Sequence, residues 1–183
     1  MKIKKTPSKK LAPLPLPLRT VIKHLEEDAE ANIPNLIKQL DKWIYPRGDL
    51  FHWVTVLNRF DTILQRICND YKLDTIQTIP FDPSIKQLIL AIANFSLTLF
   101  EHCTNRNIYN SYEHLTALLN TTDIDVLETI LRFMLRPAQR VNNPRAIRSS
   151  FVAPQDKILE LARGWSIPYQ DLESLSSNQF TPS

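Results

Sequence analysis

Between Asp82 and Cys103 the chain reads DPSIKQLILAIANFSLTLFEHC, with apolar residues at Ile85, Leu88, Ile89, Ile92, Phe95, Leu99 and Phe100. Intervals of three and four mark one face of an α-helix. Leu90, Ala91, Ala93 and Leu97 fill the opposite side, so the helix is apolar nearly all round. Such a helix is either buried among neighbours or spans a membrane. The uninterrupted stretch between Gln87 and Glu101 is thirteen residues and includes Asn94, Ser96 and Thr98, against the roughly 20 residues a bilayer requires. A central core helix is therefore expected, with Asp82 as N-cap and Pro83 pre-setting the first turn.

Shorter one-sided stripes surround it. Val21, Ile22 and Leu25 lie in a helix expected over Arg19–Ala31, and Ile33, Leu36, Ile37, Leu40 and Ile44 in one capped by Asn32 and ended by Pro46-Arg47-Gly48. Asp49 is expected to cap a long helix to Tyr71, with Phe51 or Trp53, then Val54, Leu57, Phe60, Ile63, Leu64 and Ile67 inward. Residues 71–81 read as a linker closed by Pro80. After the central helix come Ser111–Asn120, a Thr121-Thr122 turn, and Asp123–Val141, with Val126, Leu127, Ile130, Leu131, Met134 and Leu135 inward. Pro137 inside that pattern predicts a kink or an early stop. Asn143-Pro144 and Ala153-Pro154 each restart a helix, and Lys157–Gly164 closes as an amphipathic helix with Gly164 suited to a C-cap. A shorter helix, a polar turn and a longer helix occur twice, which is the αα-hairpin unit of α-solenoids.

Composition sharpens this picture. Two glycines and thirteen prolines in 183 residues argue against glycine-rich phosphate loops and tight hairpins, which need positive φ. The fold class is all-α. The division expected is a basic, proline-rich tail over 1–18, one helical domain over 19–173, and a polar tail over 174–183. Seven basic residues and no acid lie between Met1 and Lys23, which leaves the remainder at −4 against the whole chain's +3. Two cysteines without CxxC spacing fit thiols in a reducing compartment. The run LAPLPLPL is too rich in proline for a secretory h-region, and cytoplasm or nucleus is the expected location.

Candidate chemistry is sparse. A catalytic Cys/His pair would need Cys68 or Cys103 beside His102 or His114 in an open cleft; a hydrogen-bonded histidine between helices and a buried thiol are the plainer readings. Four scattered histidines and two cysteines lack zinc-ligand spacing, so no metal or other cofactor is expected. Glu26, Glu27, Asp28 and Glu30 read as a solvated face. The one candidate for partner binding is basic: Arg132, Arg136 and Arg140 recur every four residues on one helix side, and Arg145 and Arg148 follow. No acid occurs between Glu128 and Asp156, so the five arginines read as locally uncompensated. Solvation, or salt bridges to another helix, is the plainer reading of such a row; the functional one is an acidic partner, a protein segment or nucleic acid, and the acidic body and the lack of a nucleic-acid motif argue against DNA or RNA.

The strings DLFHWVTVLNRFDTIL (Asp49 to Leu64) and NRNIYNSYEHLTALLNTTDIDVLETILRFMLRPAQR (Asn105 to Arg140), with LILAIANFSLTLFEHCT between them, resemble the extreme N-terminal segment of the giant HECT-type E3 ubiquitin ligases. The phrase YNSYEHLTALLNTTDIDVLE is most similar to the fungal branch. The resemblance implies armadillo-like helical repeats forming an α-solenoid, and a scaffold or substrate-recruitment role in ubiquitination. The family's acyl transfer resides in a C-terminal module whose cysteine accepts ubiquitin, and nothing here matches that module. Glu101-His102-Cys103-Thr104-Asn105 shares letters with its catalytic loop but lacks the phenylalanine beside the cysteine, so Cys103 reads as structural. The partners implied are the rest of the ligase chain and protein substrates; the short apolar stretch, and not the resemblance, argues for no membrane partner. The alternative is a stand-alone helical adaptor that binds an acidic peptide or a partner helix.

Overall fold

The computed structural model describes residues 14–40, 50–103, 112–140 and 156–163, with backbone alone at 112–113 and 136–140. Among the described residues every regular element is helical: α1 (Leu16–Glu27), a 3₁₀ turn (Glu30–Asn32), α2 (Ile33–Leu40), a second 3₁₀ turn (Leu50–Trp53), α3 (Val54–Asp70), α4 (Pro83–His102), α5 (Tyr112–Leu118), α6 (Ile124–Arg140) and α7 (156–163). The all-α expectation holds. The chain divides into two compact units, Met1–Gln139 and Arg140–Ser183. In the second unit α7 is described, with Lys157 Nζ 2.9 Å from Glu160 Oε2 one turn on.

The expected central helix is α4. Asp82 caps it as the sequence indicates, its Oδ1 accepting from Ser84 N at 2.9 Å and Ser84 Oγ at 2.6 Å, with Pro83 in the first turn. By length and composition α4 is long and apolar enough to cross a membrane. Here it packs against α2 and α3 and buries Leu88, Ile89, Ile92, Ala93, Phe95, Leu97, Leu99 and Phe100. Phe95 meets Trp53 edge-on at 5.4 Å and Phe60 at 6.1 Å, geometries that add to simple area burial. Phe100 meets Phe133 of α6 at 6.2 Å. Trp53 is the inward aromatic of the α3 entrance, and Phe51 is 52% exposed.

Several boundaries move. α1 starts at Leu16, inside the expected tail, because Pro17 suits a first turn and Leu18 and Ile22 are buried on one side. α3 follows a 3₁₀ turn at Leu50–Trp53. It ends without glycine: Leu73 N donates to Cys68 O at 2.9 Å and Lys72 N to Asn69 O at 3.2 Å, with Lys72 at φ 52°. That is a Schellman ending, and Leu73, at the position whose apolar contact usually accompanies it, is buried. The helix runs through Pro137 to Arg140, so no early stop occurs. On α6 Phe133 is buried, Leu131 is half-buried and Leu135 is 56% exposed, which corrects the inward set. Phe133 lies seven residues after Val126 and three after Ile130, and so shares their face.

The presumed linker over 71–81 is packed. Tyr71 stacks edge-on with Phe81 at 4.9 Å, and its Oη accepts from Asp82 N at 3.2 Å. Among the described residues the main helix contacts run α2 to α4, α3 to α5, and α1 to both α2 and α3, so much of the packing joins elements that do not follow one another in sequence. Residues 1–13, Ile44, Pro46-Arg47-Gly48, Asp49, Asn143-Pro144, Ala153-Pro154, Gly164 and 174–183 lie outside the described residues.

Candidate functional site

The arginine row begins on α6, and its first member is already engaged. Arg132 Nη2 sits 2.5 Å from Glu128 Oε1, one turn back, with both side chains more than half exposed. Such an i,i+4 surface pair contributes about 0.3–0.5 kcal/mol, and it corrects the reading of five uncompensated arginines. Arg136 and Arg140 belong to the same helix, so their Cα positions follow Arg132 at one-turn intervals. The side chains of Arg136 and Arg140, and all of Arg145 and Arg148, lie outside the described residues.

A cysteine, a histidine and an aspartate do converge between α3 and α5. His114 Nε2 is 3.6 Å from Asp61 Oδ1, and the Cys68 Sγ–H donates to the His114 backbone carbonyl at 3.7 Å. The arrangement opposes nucleophilic chemistry. Burial, and then the negative charge of Asp61, push the Cys68 thiol up to about 12. Catalytic cysteines are instead partly exposed and held as thiolates by nearby positive charge. The imidazole addresses Asp61, while the sulfur addresses the peptide carbonyl. At 3.6 Å Asp61 Oδ1 is within ion-pair range but past hydrogen-bond length, and it accepts no hydrogen bond among the described residues. Cys103, at the end of α4, is buried. His102 is exposed at that same end. Among the described residues no group of three or more His, Cys, Asp or Glu is placed to hold a metal ion.

Other polar contacts, which the sequence did not single out, organise the unit. Arg59 on α3 reaches the open C-terminal end of α1, Nη1 donating to Leu25 O at 2.6 Å and Nη2 to Asp28 O. A cation there satisfies carbonyls that the helix leaves unpaired and meets the negative end of its dipole. Arg66, two turns on, pairs with Glu30 and, at 3.3 Å, with Asp70, so Glu30 is tied to α3 rather than merely solvated. Lys86 Nζ bridges from α4 to the start of α6, 2.8 Å from Asp123 and 2.6 Å from Asp125. Asp123 also caps α6, accepting from the N–H groups of Asp125 and Val126 at 3.1 Å each. Partial burial works against the Asp123 charge, but the Lys86 hydrogen bond and those amides prevail and hold its pKa below the ordinary carboxylate value. Hydrogen bonds to Asp123 and Asp125 raise Lys86.

Gln77 is buried in the segment between α3 and α4, and both ends of its amide are used. Oε1 accepts from Thr121 Oγ1 at 2.6 Å and Thr122 N at 3.1 Å, and Nε2 donates to Ile79 O at 2.6 Å. Gln77 N donates to Asn120 O at 2.8 Å, and Asn120 Nδ2 to Leu73 O at 2.8 Å. This knot fastens residues 73–79 to the turn between α5 and α6. No spacing signal announces it, because its partners lie more than forty residues away. A groove of about 260 Å³ separates α2 from α4, lined by Pro34, Ile37, Leu90, Ala91 and Phe95 with Lys38 among its polar residues. That volume falls just below the usual range for small-molecule sites, about 300–1,000 Å³.

Comparison with known proteins fits a body built for packing. The family described as Domain of Unknown Function (DUF908) matches residues 84–182, from the first turn of α4 onward. The chain is 44% identical over 117 residues, 63% of its length, to E3 ubiquitin-protein ligase ptr1 of Schizosaccharomyces pombe. It is 32% identical over 74% of its length to E3 ubiquitin-protein ligase TOM1-like of Neurospora crassa, and 29% identical over 90% to E3 ubiquitin-protein ligase HUWE1 of Mus musculus. It spans about 4% of the length of each of these relatives. The chain belongs to the DUF908 family and is similar to a short segment of giant HECT-type E3 ubiquitin-protein ligases.

Proposed function

We propose that this segment is an armadillo-like scaffold that holds or recruits protein substrates for ubiquitination, while a catalytic module elsewhere in the ligase performs the acyl transfer. The observation that carries this reading is the match to 4% of much longer ligases in two fungi and a mammal. It is supported by the interior of the first unit, where aromatic contacts and buried hydrogen bonds join helices and the Cys68 thiol is held protonated. The work of such a unit is positioning, in nucleus or cytoplasm. The test is deletion of the matching segment from the full-length fission-yeast relative. Ubiquitin thioester formation on the ligase should be retained, and the set of ubiquitinated substrates should shrink. Loss of the thioester, or an unchanged substrate set, would contradict the proposal.

Within that role, the later part of the arginine row is proposed to receive an acidic protein segment. Support comes from the helix continuing through Pro137, which sets Arg136 and Arg140 one turn apart. Guanidinium groups fork onto carboxylates in that arrangement, and exposed contacts weaken as salt rises. Arg136→Glu with Arg140→Glu should abolish binding of poly-glutamate at low salt and leave thermal unfolding unchanged. Equal binding by the double variant would reduce the row to a solvated face.

A further inference from the structure

We draw no further inference here: the strongest candidate, the apolar groove between α2 and α4 with Lys38 among its lining residues, carries nothing because the residues that directly follow α2 lie outside the described ones and nothing in the structure shows what covers it.

Discussion

Cys68 shows how a triad of suggestive residues is settled by its surroundings. Its sulfur lies against the His114 carbonyl, and His114 faces Asp61, yet burial and the nearby carboxylate keep the thiol protonated at neutral pH. Native protein at pH 8 should therefore leave Cys68 unmodified by a thiol-specific disulfide reagent for hours, with full reaction once guanidinium unfolds the chain; mass spectrometry of the labelled peptide reads this directly. Rapid native labelling would contradict the assignment. The proximity was hidden in the sequence because Cys68 and His114 are separated by 46 residues, and only the α3–α5 contact joins them. Lys72 is hidden for another reason: a left-handed residue ending α3 usually declares itself as glycine, and here the lysine is held by its own N–H and that of Leu73, which bond to Asn69 O and Cys68 O.

Single elements were legible where their signals are local. Asp82-Pro83 and Asp123 mark the starts of α4 and α6 because a short acidic side chain reaches back to the first-turn amides within two or three residues. The inward face of α6 was misread because its apolar arc is wide enough to contain two faces, and periodicity alone cannot choose between them. The choice has a measurable consequence. Phe133→Ala, which removes the ring beside Phe100, should cost about 3–5 kcal/mol, whereas Leu135→Ala should stay within about 0.5 kcal/mol. Chemical denaturation of both variants checks the order, and equal losses would contradict it.

The α4–α6 clamp makes a pH prediction. Asp123 has a lowered pKa when folded, so its stabilisation is present above the ordinary carboxylate value and is lost as pH falls through the folded one. Lys86 has a raised pKa, so its contribution is present below the ordinary lysine value and is lost as pH rises through the folded one. The clamp therefore acts from the acidic to the alkaline limit of those two groups. Asp123→Asn keeps a capping side chain but removes the charge. It should lower stability at neutral pH, and the gap from the parent should close as pH drops below about 3.9. A gap independent of pH would assign the effect to the cap instead.

At the scale of the whole molecule, the all-helical class followed from scarce glycine and from 3.6-residue periodicity, and the ligase resemblance followed from strings on α3, α5 and α6. What the sequence could not show was how the helices of the first unit are fastened. Gln77, Arg59 and Lys86 each join segments more than thirty residues apart, and none has a periodic or motif signature. The arginine row was legible as a pattern, while the Arg132–Glu128 pair that engages its first member lies at i,i+4 and was in reach of the sequence. The proposed contribution of this segment to ubiquitination is made by its folded surface rather than by a nucleophile of its own. It is tested most directly by restoring the deleted segment of the full-length fission-yeast ligase with residues 1–183 and quantifying substrate ubiquitination. The graft, and the graft carrying Cys68→Ser with Cys103→Ala, should both restore the substrate set, and a graft unfolded by Phe95→Ala with Phe133→Ala should not. Restoration that depends on either cysteine, or that survives loss of the fold, would contradict the account.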